Sequence, residues 1–226
     1  MANKNSNKKF FIGITIAVVV PLSLYFITRH FTDGHVKLPG HYIAEGVDKN
    51  GDTVYHHVAD LRLTNQYANS ISLDSDLKGK ILVIDFFFVN CPTICPHLTR
   101  NMAHLQQAFR KNDSIVHFIS ITVNPGHDSA QVLRAYADHY GVNGDHWWFL
   151  TGDKKKIYDY ARDELSVVAE PGDAGPNDFV HTQKIVLVDK NRHIRGYYDG
   201  LDSTEIKRCA DDIVLLWLEK EKKQKN

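Results

Sequence analysis

The chain has 226 residues, 43% of them hydrophobic and 24% charged, enough to bury one core without disulfide staples. Lys plus Arg and Asp plus Glu number 27 each, so the basic excess that counterion-releasing binding to nucleic acid requires is absent. Three cysteines are too few for a disulfide framework, and 13 histidines widen the choice of metal ligands.

Residues 1–9, MANKNSNKK, carry lysines and no acid, and residues 10–28 then run without a charged side chain. That length matches a helix crossing a bilayer core of ~30 Å. The positive flank stays in the cytoplasm, which makes 1–9 a cytoplasmic tail, 10–28 a transmembrane anchor and the remainder extracytoplasmic. Tyr25, Phe26, Arg29 and Phe31 crowd the place where a cleaved signal peptide carries small residues, and Pro21 is tolerable within a membrane helix. Residues 29–55 mix Gly, Pro and Asp without a sustained period, as in a tether with one small hairpin at Asn50-Gly51.

From residue 56 strand-like and helix-like patterns alternate. A hairpin about Asn69-Ser70 is expected over 60–73, and KILVIDFFFV (80–89) reads as a strand buried on both faces. Met102, Leu105 and Phe109 set a helix over 92–110, and SIVHFISITV (114–123) is the next strand. Asp128-Ser129 opens a helix that ends at Gly141, with Val132, Leu133, Tyr136 and Tyr140 on one face. A strand over 146–153 and a helix over 154–165 follow, then two strands over 181–200 joined across Lys190-Asn191. The last helix spans 203–223, with Ser203 as its cap and Ile206, Ile213, Leu216 and Trp217 inward; the end, 220–226, is a polar tail. This order implies an α/β domain over 56–219, a mostly parallel sheet covered on both faces with an antiparallel edge.

The stretch VNCPTICPH (89–97) holds two of the cysteines, each followed by proline. Pro92 suits the first position of a helix, which would put Cys91 at its mouth and Cys95 one turn in, both sulfurs on one side. The partial positive charge of a helix start favours thiolates there. Such a pair serves redox chemistry or soft ligation of Cu(I), Zn(II) or an iron–sulfur edge, and one added imidazole would also stabilise Cu(II). Loops returning to the carboxyl ends of parallel strands supply such groups, and His181 lies at the junction of one loop with the next strand.

KILVIDFFFVNCPTICP, HFISITVNPGHDS, WWFLTGD and FVHTQKIVLVDKNRHIRGYYDG together resemble the Sco/SenC family, the membrane-anchored, thioredoxin-like copper proteins of cytochrome c oxidase assembly. The resemblance spans roughly residues 56–219. It implies a thioredoxin-like fold in which Cys91, Cys95 and His181 bind one copper ion, Cu(I) or Cu(II), and a dithiol that can cycle to a disulfide. It also implies cytochrome c oxidase subunit II as partner, alongside other copper chaperones or thioredoxin-like reductants. Two positions depart from the family pattern: Val180 stands where many members have Asp immediately before the histidine, and Asn124 replaces the Asp of Val-Asp-Pro. Because ligating histidines lean on an acceptor, Asp178 is the candidate substitute.

Asp85, six residues before Cys91, has the offset of the buried aspartate of thioredoxin-like proteins. It is either buried with a raised pKa, acting as a proton relay, or a water-contacting residue near the strand end. His97, His104 and His117 are expected on solvated faces, and His30, His35, His41, His56 and His57 are assigned no site. Cys209 reads as a structural thiol, and at least one ring of Trp147-Trp148 as core. Two functions follow: a copper chaperone that delivers copper to, or reduces cysteines of, the binuclear copper site of subunit II, or an extracytoplasmic thiol-disulfide oxidoreductase with incidental copper binding.

Overall fold

The structure, a computed structural model, describes residues 13, 15–27, 38–111, 114–167 and 182–219. The chain divides into two units, 1–37 and 38–226. In the first, residues 15–27 are helical and exposed. Among the described residues no helix is long and apolar enough to cross a membrane, and residues 10–12, 14 and 28 of the expected anchor lie outside them.

The second unit opens with the small hairpin, β1 (Ala44–Val47) against β2 (Thr53–Tyr55). Its turn is built by Asp48, whose carboxylate accepts the N–H groups of Asn50 and Asp52, and by Gly51 at φ +87°, a conformation glycine adopts without steric cost. The main sheet then forms from β3 (Arg62–Asn65), β4 (Ser70–Ser72), β5 (Ile81–Phe87), β6 (Val116–Thr122), β7 (Trp147–Thr151), β8 (Lys184–Val188) and β9 (Ile194–Asp199). Their order is β4-β3-β7-β6-β5-β8-β9, with β5, β6 and β7 parallel and antiparallel pairs on both flanks rather than one edge.

Every residue of β5 and β6 is buried, as their near-continuous apolar runs require of strands covered on both faces. Side chains alternate between two cores. Ile81, Val83 and Phe87 pack with α1 (Cys95–Ala108), α2 (Ala130–His139) and α4 (Ser203–Leu218) through Leu98, Met102, Leu133 and Ile213. Leu82, Ile84 and Phe86 face the other way, toward Ile157 of α3 (Lys154–Asp159), which continues into a π-helical turn over Tyr160–Glu164.

Several boundaries differ from expectation. The hairpin turn precedes Ser70, because the Asn65 side chain accepts the N–H groups of Tyr67 and Asn69 and closes the loop early. Helix α2 starts at Ala130 with Ser129 as its cap. Helix α4 is capped by Asp202, whose carboxylate accepts the Thr204 N–H, and it stops at Leu218. Trp217 is exposed, since Cys209, Ile213 and Leu216 already occupy the inward face and Trp217 lies one step round the helix. Of the three histidines expected on solvated faces, His97 and His104 are exposed but His117 is buried. It sits near the start of β6 against the Trp148 ring, and burial lowers its pKa to about 3, so it remains neutral.

The start of β5 is bolted to the β8–β9 turn by Arg192. Its buried guanidinium donates to the carbonyls of Leu73, Leu77 and Lys80 and to the Asp74 carboxylate. Arg192→Met keeps much of the volume and leaves those acceptors unpaired, so equilibrium urea unfolding should show a loss of about 3 kcal/mol. An unchanged midpoint would show that the guanidinium is not holding this corner.

Candidate functional site

β5 ends at Phe87, and the chain turns through Cys91 to Ile94 before α1 begins at Cys95. The expected start at Pro92 is therefore three residues early: Pro96, not Pro92, occupies the first turn, where a missing N–H is harmless. The cap residue Ile94 makes no side-chain cap bond, and the first turn holds no acidic residue. A sulfur takes the vacant role, because the Cys95 N–H donates to Cys91 Sγ at 3.5 Å. The Thr93 hydroxyl lies 3.9 Å from the same sulfur. Cys91 thus stands outside the helix but closes its first turn.

This geometry divides the two buried thiols. Burial pushes the Cys91 thiol up, but hydrogen bonds from the Cys95 N–H and thiol and from Thr93 outweigh it and leave the pKa below the ordinary value. Cys95 is pushed well up, first by burial and then by its bond to Cys91. Cys91 is the readier thiolate and Cys95 the proton-bearing partner. Two sulfurs at one helix mouth are a soft donor set that fits Cu(I), and the stabilised charge on Cys91 favours binding a cation there.

Asp85 projects from β5 to the face of Val83 and Phe87, the same side as α1. It is wholly buried, so the water-contacting reading does not hold. One carboxylate oxygen accepts from the Ser120 hydroxyl, whose oxygen in turn accepts from Trp147 Nε1 at 2.9 Å. The other oxygen has no hydrogen-bond partner among the described residues. Burial, only partly offset by Ser120, raises the Asp85 pKa to about 7, and its charge also contributes to raising Cys95.

A support that sequence reasoning missed lies beside the cysteine turn. Asp128, fully buried, accepts from the Thr122 hydroxyl at 2.5 Å and from the Val89 N–H at 3.1 Å through one oxygen. Its other oxygen meets His127 Nδ1 at 2.7 Å, and His127 Nε2 meets the Asn90 side chain at 3.0 Å. Two residues next to Cys91 are thereby tied to the loop after β6. In the sequence Asp128 looked like part of a helix cap; no local pattern separates a capping aspartate from one that reaches across to another loop.

Cys91, Cys95 and Asp85 are brought together at the carboxyl end of β5. His181 and Asp178 lie outside the described residues. The chain is described again from Thr182, and β8 runs antiparallel to β5, with Ile84 opposite Val186 and Leu82 opposite Val188. Thr182 and Gln183 therefore lead into the sheet from the end at which β5 runs on to Cys91. Cys209 is wholly buried in α4, and burial raises its thiol pKa, as expected of an inert structural cysteine.

Asp85 makes the site sensitive to pH in a measurable way. Its folded pKa exceeds the ordinary 3.8, so the folded state holds a proton that the unfolded state releases above about pH 4. Its contribution to stability is full at low pH and declines as pH rises toward 7. Asp85→Asn removes this dependence, so the stability of the variant relative to the parent should rise by about 4 kcal/mol between pH 4 and pH 8 in urea unfolding. A constant difference across that range would mean that Asp85 ionises as freely in the fold as in water.

The family model described as SCO1/SenC matches residues 50–216. The SCO1 protein homolog of Bacillus subtilis (strain 168) is 30% identical over 163 residues, covering 72% of this chain and 83% of that protein. The crystal structure of a SCO1/SenC family lipoprotein from Bacillus anthracis str. Ames superposes with a TM-score of 0.64 at 29% identity, over 72% of this chain and 95% of that one. BsSco, a member of the Sco family of cytochrome c oxidase assembly proteins in which a disulfide switch was identified, gives a TM-score of 0.62 at 29% identity, over 73% and 95%. With its sheet order, its paired cysteines at the mouth of α1 and a family match over most of its length, this chain belongs to the SCO1/SenC family.

Proposed function

We propose that this protein is a membrane-anchored copper chaperone whose domain lies outside the cytoplasm and serves the binuclear copper site of cytochrome c oxidase subunit II. The observation that carries the reading is the Cys95 N–H donated to Cys91 Sγ, which makes one sulfur of a soft pair a ready thiolate at an open helix start. Copper is cargo in this account: Cys91 and Cys95 hold one ion and His181 completes the set, with Asp178 as the acceptor that orients the imidazole. Exchange of thiolates would then pass the ion to the recipient's cysteines. The uncharged run at 10–28 supports the anchor, and the B. anthracis relative is described as a lipoprotein, a membrane-attached form.

The unequal thiols also support reductive preparation of the recipient. The Cys91 thiolate attacks a target disulfide and forms a mixed disulfide, releasing one target thiolate. Cys95 then loses its proton and attacks Cys91, forming the Cys91–Cys95 disulfide and releasing the second thiolate; the target gains two electrons and the dithiol loses two. Asp85, with a pKa of about 7, is suited to take the Cys95 proton. A thioredoxin-like reductant would restore the dithiol. The disulfide switch of BsSco is consistent with such a cycle.

The alternative, an oxidoreductase with incidental copper binding, needs no imidazole. An anaerobic Cu(I) titration of the reduced protein, repeated with Cys91→Ser and His181→Ala, separates the two. One equivalent bound tightly, abolished by the first substitution and weakened about tenfold or more by the second, is the expected result. Rapid catalytic disulfide reduction with copper affinity indifferent to His181 would favour the oxidoreductase.

A further inference from the structure

At the opposite end of β5 from the cysteines, three side chains that the copper-site reading leaves unused converge. His41, Asp189 and His193 each offer one ligand atom, and these atoms lie within 4.8 Å of one another. His41 comes from the strand-free stretch before β1, while Asp189 and His193 flank the β8–β9 turn. Val188 pairs with Leu82 near the start of β5, and Cys91 follows its end, so a seven-residue strand at ~3.3 Å per residue puts about 20 Å between the two places.

The groups are oriented rather than loose. The His41 ring stacks on Tyr55 at 4.5 Å and meets the His193 ring edge-on at 5.4 Å. Asp189 is buried, and one of its oxygens accepts the N–H groups of Asn191 and His193 while the other accepts from Arg195. The Arg195 charge opposes a bound cation, but Glu219 also binds that guanidinium at 2.7 Å, which leaves a net negative charge among the three. His57 pairs with His193 in an isolated backbone bridge, and their rings lie 6.1 Å apart.

We infer that His41, Asp189 and His193 form a second metal site, which takes a borderline divalent ion such as Zn(II) or Cu(II). Two imidazoles and a carboxylate without a thiol select divalent ions and disfavour Cu(I). Ligands of a tetrahedral ion at ~2.1 Å lie roughly 3.4 Å apart, so closing the observed spread takes side-chain rotation of little more than an ångström. Partial burial and then the nearby Arg195 lower the His41 pKa, against the opposing pull of Asp189 and Glu219, which favours the neutral imidazole a ligand needs. Such an ion would clamp the entry segment, whose Pro39 and Gly40 carbonyls already accept from Arg195 and whose Tyr42 N–H donates to Ile194, onto the end of the sheet.

The test uses the untagged full-length chain in detergent with Cys91 and Cys95 both replaced by serine, which removes the copper site and makes the outcome independent of that assignment. Equilibrium dialysis against Zn(II) with a competing chelator should retain one ion, and Zn(II) should raise the midpoint of thermal unfolding. His41→Gln, at an exposed position, and His193→Gln should each weaken retention about tenfold or more, with His41→Gln also abolishing the thermal shift. Absence of a stoichiometric ion, or equal retention and equal thermal shift in His41→Gln, overturns the site.

Discussion

The functional end of this domain depends on one hydrogen bond, from the Cys95 N–H to Cys91 Sγ. A helix that follows a buried strand must find acceptors for its first N–H groups, and α1 has no capping side chain to provide one. Using a cysteine sulfur for that purpose joins a structural need to a chemical one. The bond that finishes the helix also stabilises negative charge on the atom that must attack or ligate. The turn cannot drift without losing its cap, and the thiolate cannot lose its stabilisation without loosening the turn.

The surrounding polar groups fall into two sets that bear on this turn differently. Asp128 acts by position, joining Val89, Thr122 and His127 so that the segment before Cys91 is held to the loop after β6. Asp85 acts by protonation, since a carboxylate with one partnered oxygen in a largely apolar layer resists ionisation. Both are buried where hydrophobic residues would pack more cheaply, and both lie at the functional end of the parallel strands. At the other end Arg192 and Arg195 perform the closing work, gathering loop carbonyls and carboxylates around the β8–β9 turn. The sheet thus has a reactive end and a fastened end.

The sequence was most readable where a single physical pattern dominated. The largely apolar runs of β5 and β6, the three-and-four spacing of α1 and the Asn-Gly turn of the first hairpin each answer to one local cause, and all four elements formed, α1 starting three residues later than expected. It was least readable where a side chain's partner is distant in the chain. Pro92 and Pro96 are equally plausible helix openers by spacing, and only the turn that carries Cys91 past the end of the sheet decides for Pro96. His117 looked polar and therefore exposed, yet its place in a central strand overrides its side chain. Asp128 and the His41, Asp189 and His193 group bring together residues whose proximity no local period encodes. The closeness of Cys91 and Cys95 was legible because they lie within one turn-helix unit, whereas Asp85 was open between burial and water contact until its place in β5 decided for burial.

The central claim is that the start of α1 stabilises the Cys91 thiolate and lowers the pKa of its thiol. Its most direct test is a pH titration of ultraviolet thiolate absorbance in the Cys95→Ser protein, where the backbone N–H at 95 is retained and Cys209 stays buried. The account predicts a transition for Cys91 below the ordinary thiol value of ~8.5. A transition at or above that value would contradict it.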